Sequence, residues 1–369
     1  MTDPAIVREP KLIPAPQAER VDILFDAQNY TAFPHLIRLG GDELLMAFRQ
    51  APKEDGIHHT HPRSICTVVR SYDAGRTWDI AGASQLTAGG GQECALIHLG
   101  GPRVGAVVAW HEVVPVREQA RSGIPHLFPS EYPFRTPGSF WVWSETFGLT
   151  WRPDHVHFLA PDTMPCGPVH RCRDGRILIP VYAFSSSAVT YDPGSMSSVL
   201  VISADEGRTW AEPNVIARGL PGVRGYCEPA VVETRAGILR ALHRVETPTW
   251  GPERCFWTNQ STDGGRTWTD PVPTGILSGA CPRLLPLSDG RLLLTFGRRF
   301  EPFGIRAMIS NDGGATWGDT AWLLRETPNG NQGYTSSVEL GNGRILTVTY
   351  AENGKGVTGI VGTFWQLPA

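Results

Sequence analysis

The octapeptide Ser261-Thr262-Asp263-Gly264-Gly265-Arg266-Thr267-Trp268 constrains this chain more than any other stretch, because it returns. Residues 71–78, 203–210 and 310–317 repeat the pattern Ser-x-Asp-x-Gly-x-Thr-Trp, and residues 144–151 repeat it with Thr146 in place of the aspartate. These residue types suit the tip of a β-hairpin. An aspartate side chain accepts from backbone N–H groups two residues on, and glycine supplies the positive φ of a tight turn. The tryptophan then covers the apolar face of the hairpin. One such turn says little, whereas five in one chain mark a repeat architecture.

A second repeat interleaves with the first. Its first unit reads Pro34-His35-Leu36-Ile37-Arg38-Leu39, a Gly/Asp turn, then Leu44-Leu45-Met46-Ala47-Phe48-Arg49. Five more follow, at 93–110, 168–178, 229–239, 282–294 and 335–346. Each is an apolar strand, a short turn of Asp, Asn or Gly, and a second strand, which is hairpin chemistry. The first strand of each unit is apolar on both faces, as in the middle of stacked sheets. A third strand comes next, and the Ser-x-Asp turn leads it into a fourth. Four antiparallel strands per unit and six units predict an all-β fold, a six-bladed β-propeller. The last blade lacks its turn. Its third strand is expected at 359–367, with 20–25 returning as the fourth strand to close the ring and remove the open sheet edges. The expected organisation is an N-terminal extension over 1–19 and one propeller over 20–369, carrying a long insertion at 111–138.

With 369 residues, the chain is long enough for one such wheel. Its 41 glycines and 31 prolines suit many tight turns. A net charge of −3 gives no basic surface for nucleic acid. No apolar run is long enough to span a membrane. The polar, Pro-rich start does not read as a secretory signal, so the expectation is a cytoplasmic location or, as the alternative, a leader that this sequence lacks. Seven cysteines, an odd number without CxxC pairs, argue against a disulfide framework or zinc ribbon and for buried thiols. No cofactor and no metal is expected. The run His58-His59-Thr60-His61 lacks the carboxylate or Cys partners of a metal site.

Strand order also assigns faces. If the first strand of each blade starts on one face, the Ser-x-Asp turns lie on the other. The first face then gathers the residues that begin each first strand, those that end each second strand, and the loops between second and third strands. At the beginnings stand Phe33, Gln92, Glu93, Gly167, Glu228, Cys281 and Tyr334. At the ends stand Arg49, His111, Arg244, Arg298 and Arg299, with Arg306 opening a third strand. The loop 50–64 adds Asp55, His58, His59, His61 and Arg63. Long loops on a rigid scaffold are where sites collect. Glu228 and Tyr334 occupy the same place in blades 4 and 6, and a carboxylate beside a phenol can take its proton and make it a nucleophile.

The repeated turn resembles the Asp box of the sialidase (neuraminidase) superfamily, over nearly the whole chain. The resemblance implies a carbohydrate partner and glycosidase chemistry. Gly333-Tyr334-Thr335-Ser336-Ser337-Val338 is similar to the family's nucleophile motif, Cys227-Glu228-Pro229 to that of the glutamate that activates it, and Arg244 to the second of three arginines that hold a sugar carboxylate. Arg306 or Arg298 is then the third. Two positions depart from the pattern. The first arginine's place reads Ala32-Phe33-Pro34, and the place of the acid/base aspartate reads His58-His59-Thr60-His61-Pro62-Arg63, with Asp55 the nearest aspartate. Arg49 or Arg63 is the substitute arginine, and His59 or His61 the substitute acid, since imidazole titrates near neutrality. Glu93 completes the substrate-binding candidates.

The leading expectation is therefore a glycoside hydrolase on a terminal sugar, acidic sugars among the candidates. Two others belong to different classes: a polysaccharide lyase, in which Arg neutralises a uronate carboxylate while His or Tyr removes a proton, and a glycan-binding propeller without catalysis.

Overall fold

The computed structural model describes residues 7–54, 56–184, 190, 192–249 and 254–368. Its strands form six sheets of four or five strands each. Blade 1 runs Asn29–Gly40, Glu43–Pro52, Ile65–Ser71 and Asp79–Gln85, each strand pairing with the next. Blade 4 repeats this with Gly225–Glu233, Leu239–Glu246, Cys255–Ser261 and Val272–Leu277. Blade 6 consists of Gln332–Gly341, Arg344–Glu352 and Thr358–Gln366, and Glu19–Phe25 pairs antiparallel with the last of these to close the ring.

Residues before the closing strand are woven into the wheel. Lys11–Pro14 lies parallel to Thr320–Glu326 as a fifth strand of blade 5. The Glu9 carboxylate, just upstream, reaches Arg298. In blade 3 the first strand is broken. Thr163–Pro165 and His170–Arg171 pair separately with Ile177–Ala183. Pro165 and Pro168 offer no N–H to a ladder, and a Cβ on Gly167 would lie 1.9 Å from the Pro229 carbonyl oxygen of blade 4.

The repeated turns close in one way. In the copy at 261–268, the Ser261 hydroxyl donates to Asp263 Oδ1 at 2.8 Å and accepts from Gly265 N–H at 2.9 Å. Asp263 accepts from Thr267 N–H at 2.9 Å and from the Thr267 hydroxyl at 2.6 Å. The backbone donor thus comes from four residues on rather than two, because the turn is longer than a β-turn. The same bonds recur at Asp73, Asp205 and Asp312. Thr146 reproduces them with a hydroxyl: its oxygen accepts from Thr150 N–H at 2.9 Å. The glycines of these turns pack on the preceding blade. A Cβ on Gly207 would stand 2.8 Å from Trp141, and one on Gly75 2.4 Å from Leu346. The tryptophans fill the same seams rather than only their own hairpin, with Trp210 edge-on to Trp141 at 5.1 Å.

The core is a series of such seams. Trp141, Ile177, Ile179, Val181 and Val201 fill the one between blades 2 and 3. All seven cysteines are buried, and none forms a disulfide. The 111–138 insertion holds a 3-10 turn, Val116–Glu118, and one helical turn, Gln119–Ser122, which ends at the left-handed Gly123. It is pinned by fully buried Ile124 and by Phe128 stacked on Phe134. Among the described residues no helix is long and apolar enough to cross a membrane.

Candidate active site

The site is built by one backbone device, a register slip that turns a residue left-handed in three blades; blade 2 slips too, between Gly91 and Cys94, without a left-handed non-glycine residue. Antiparallel register slips at the start of the first strand in blades 1, 4 and 6, between Ala32 and His35, Cys227 and Ala230, and Gly333 and Ser336. In each slip one non-glycine residue takes a left-handed conformation: Phe33 at φ 57°, Glu228 at 47° and Tyr334 at 53°. A bulge of this kind re-aims a side chain. Such backbone is costly for a residue with a Cβ, about 1–3 kcal/mol, and concentrates at functional sites. Here all three side chains line one cavity of about 370 Å³, beside Arg244, Glu246, Arg299, His59 and Tyr350. The Ser-x-Asp turns lie at the other end of the strands: Cys227 pairs with Arg244 at the cavity end, and Leu239 with Ser261 at the turn end.

At the centre the Tyr334 hydroxyl donates a short hydrogen bond to Glu228 Oε1. Arg244 Nη1 donates to both Glu228 oxygens at 2.9 Å and approaches the Tyr334 oxygen at 3.4 Å. Its Nη2 is bonded to Glu246, whose other oxygen takes Arg254 at 2.7 Å. Burial pushes the Glu228 carboxyl up, but Arg244 and the Tyr334 hydrogen bond outweigh it and hold the acid below the usual carboxylate range. Burial and the Glu228 charge together push the Tyr334 phenol well above its ordinary value. The pair therefore rests as phenol and carboxylate. Arg299 covers the Tyr334 ring, with Cζ 5.4 Å from its centroid, and donates to Tyr350 Oη at 2.7 Å and to the Gln332 carbonyl at 3.0 Å.

The structure sorts the sequence candidates. Tyr334, Glu228, Arg244 and His59 come together in the cavity. Arg298 and Arg306 do not. Arg298 is taken by Glu9 at 2.9 Å, while Arg306 lies beside it on the Pro302 carbonyl at 3.2 Å, its guanidinium lowered to about 10 by burial and the Arg298 charge. Strand alternation selects Arg299 instead. Thr295, Gly297 and Arg299 share one face of their strand, and Thr295 Oγ1 meets Thr335 of blade 6 at 2.9 Å. That face looks toward blade 6, whose first strand carries Tyr334, and Arg298 is on the other. Arg63 is exposed and pairs with Glu54. Arg49 is fully buried behind the cavity, where it donates to the His58 carbonyl at 3.1 Å. Burial pushes its guanidinium down to about 10. His61 packs with His58 against Tyr132 of the insertion, at 5.1 Å and 4.9 Å, away from the cavity wall. Asp55 lies outside the described residues.

His59 reaches the cavity with its ring 6.2 Å from Phe33 and both nitrogens 3.3 Å from Gln92 Nε2. Burial, with Arg49 nearby, lowers it to about 4, so the imidazole is neutral at neutral pH. That removes the simple reading of His59 as an acid near pH 7. Its backbone N–H, with that of Thr60, is held by Glu131 at 2.6 and 3.3 Å, so the insertion fixes this loop. Glu131, Glu246, Tyr30 and Tyr350 were not legible as site residues. Tyr350 had a signal, since it pairs with Gly333 as Arg244 pairs with Cys227 and Arg49 with Ala32.

Glu93 is buried beneath the cavity and does not line it. Burial and the Glu228 charge push it up to about 8, and one of its oxygens has no hydrogen-bond partner. The folded state holds this proton between pH 4.5 and 8 while the unfolded state releases it. Stability from this group is accordingly lost as pH rises through that window. Glu93→Gln is expected to raise Tm, with a larger gain at pH 8 than at pH 5, measured by thermal denaturation at both.

Ligand-capable atoms of Cys166, Cys281 and Glu228 lie within 4.8 Å of one another under the cavity. The Arg283 guanidinium sits 3.6 Å from Cys166 Sγ, and Glu228 is held by Arg244 and Tyr334, so this cluster is set up for an internal charge balance rather than a cation.

The BNR repeat-like domain family matches residues 110–347. Among solved structures, a protein of unknown function from Dyadobacter fermentans is 25% identical, covering 96% of this chain and 100% of its own, with a TM-score of 0.82. The Hadza microbial sialidase Hz136 is 18% identical over 92% of this chain and 66% of its own, at a TM-score of 0.66. An α-L-arabinofuranosidase from Fusarium graminearum is 12% identical over 94% of this chain and 97% of its own, at 0.63. A comparison with curated proteins gave no match. A family match over more than half of the chain, on a wheel of six blades built on four antiparallel strands each, two of them with a further short strand, has one meaning: this protein belongs to the BNR repeat-like domain family, as a sialidase-like propeller.

Proposed function

We propose that the protein is a glycoside hydrolase acting on a terminal sugar, with Tyr334 as nucleophile and Glu228 as its base. The observation that carries this is the hydrogen bond from the Tyr334 hydroxyl to the ionised Glu228 carboxylate at the floor of a one-sugar cavity. A tyrosine nucleophile is a recognised exception among glycosidases. In the first step the Tyr334 oxygen bonds to the anomeric carbon, the glycosidic C–O bond breaks, and the phenolic proton passes to Glu228. Arg244 anchors Glu228 and, 3.4 Å from the tyrosyl oxygen, faces the charge that develops there. In the second step the water oxygen bonds to the anomeric carbon, the bond from that carbon to the tyrosyl oxygen breaks, Glu228 returns its proton to the tyrosyl oxygen, and the proton lost by water passes to neutral His59 or to solvent, replacing the one taken up by the leaving oxygen.

The leaving oxygen needs its own proton unless it is a good leaving group. Among the described residues on the wall, Glu246 is ion-paired, Glu228 belongs to the Tyr334 pair, and the phenols Tyr350 and Tyr30 are bonded to Arg299 and Asn331. His59 is the one imidazole there, and it carries the proton only below about pH 4. Two pH profiles follow. For 4-nitrophenyl glycosides, which leave unaided, kcat/KM rises as Glu228 ionises below pH 4.5 and stays level to neutrality. For alkyl glycosides it falls as pH rises past about 4. Release of nitrophenol from a panel of aryl glycosides, with these profiles, tests the proposal. Saturable sugar binding without any product would refute the hydrolase, and an unsaturated uronate product would replace it with a lyase.

A further inference from the structure

We infer that the terminal sugar taken by this cavity is uncharged, and that Glu246 makes it so. The inference rests on the glycosidase reading of the same cavity and narrows its substrate class.

A carboxylate is recognised by guanidinium groups with free N–H pairs, because two parallel charge-assisted bonds fix its plane. Two arginines line this cavity, and all but one of their guanidinium nitrogens are engaged or buried. Arg244 gives Nη1 to Glu228 and Nη2 to Glu246, and its Nε is buried. Arg299 gives Nε to the Gln332 carbonyl and Nη2 to Tyr350. Among the described residues, that leaves Arg299 Nη1 as the one lining guanidinium nitrogen that is neither buried nor bonded to an acceptor. Its two N–H groups sit on one nitrogen, and a fork needs parallel N–H groups from two neighbouring nitrogens. The two lining arginines face two lining carboxylates, Glu228 and Glu246, so the wall carries no net charge toward the ligand.

Glu246 is the deciding group. It is mostly buried between Arg244 and Arg254 and occupies the donors that a ligand carboxylate would need. A carboxylated sugar placed against Arg244 would have two carboxylates for neighbours. Hydroxyl groups meet the opposite situation, since the oxygens of Glu228, Glu246 and Asn331, although each already accepts a bond, keep further lone pairs for a sugar O–H, and Tyr350, whose oxygen accepts from Arg299, has an O–H of its own. The third left-handed residue agrees. Phe33, in the place where blades 4 and 6 present Glu228 and Tyr334, presents an apolar ring 4.8 Å from Tyr334 and 5.3 Å from Tyr350. An aromatic corner of this kind suits the C–H face of a neutral sugar.

The test compares 4-nitrophenyl glycosides of neutral hexoses and pentoses, pyranosides and furanosides, with 4-nitrophenyl glucuronide and galacturonide and the aryl ketoside of N-acetylneuraminic acid. Turnover confined to the neutral set is expected. Cleavage of any acidic glycoside with a kcat/KM equal to or above the best neutral one overturns the inference while leaving the glycosidase reading intact. If no glycoside is cleaved, the glycosidase reading fails. The charge inference is then decided by binding, with saturation-transfer NMR competition between neutral methyl glycosides and N-acetylneuraminate or glucuronate. Preference for the acid overturns it, and preference for the neutral sugar sustains it. Glu246→Gln provides the second readout. Freeing Arg244 Nη2 is expected to raise the affinity ratio of acidic over neutral sugar by about tenfold, and an unchanged ratio in a folded variant overturns the role given to Glu246.

Discussion

Tyr334→Phe is expected to lower kcat on a cleaved aryl glycoside by about 10²–10⁴-fold, the range that a positioned group in the reacting machinery supplies. The change deletes one oxygen and keeps the ring. The ring's contacts with Phe33 at 4.8 Å and Tyr350 at 6.0 Å, and its place under Arg299, survive. Glu228 loses the hydroxyl but retains both bonds from Arg244 at 2.9 Å. KM and Tm are therefore expected to move little, so loss of turnover in a folded protein reports chemistry. Steady-state kinetics with a thermal melt distinguish this from unfolding. Full turnover by the variant removes Tyr334 from the reaction.

Trp141→Ala is expected to destabilise the protein by about 3–5 kcal/mol, the cost of truncating a large buried aromatic. Trp141 is about 1% exposed. It meets Trp210 at 5.1 Å, lies against Gly105 of its own blade and Gly207 of the next, and packs with Ile177, Ile179 and Val201 of blade 3. Two glycines at its faces make a slot of its shape, which no neighbouring side chain collapses to fill. The urea midpoint measures the loss. A shift worth under 1 kcal/mol would mean that the blades are not held by this seam.

These two residues also show what the sequence made legible. The wheel was readable because its hairpins repeat, and repetition turns weak turn signals into a strong one. Tyr334 and Glu228 were readable because equal positions in two blades must share a face. The end of a second strand points to Arg298 as readily as to Arg299, and only the alternation along the folded strand, where one residue reverses the face, separates them. Phe33, Glu228 and Tyr334 take positive φ at residues with no glycine to announce it, so the bulges that aim them were invisible. Trp141 lies outside the repeated octapeptide, and its slot is made by glycines from two blades. Glu246 was missed because its role is to occupy Arg244, and pairing between side chains leaves no periodic trace.

The ring is fastened by Glu19–Phe25 lying along Thr358–Gln366. On the ribosome, the earlier of these strands emerges long before its partner exists. A nascent chain must keep that segment unpaired while five sheets assemble beside it. The clasp then forms in one late event across the longest loop in the molecule, the slow kind of contact. Tyr334 is carried by this last sheet and Glu228 by an earlier one. The two atoms on which the proposed chemistry depends therefore sit on sheets made at different times, and they meet only once blades 4 to 6 have packed together.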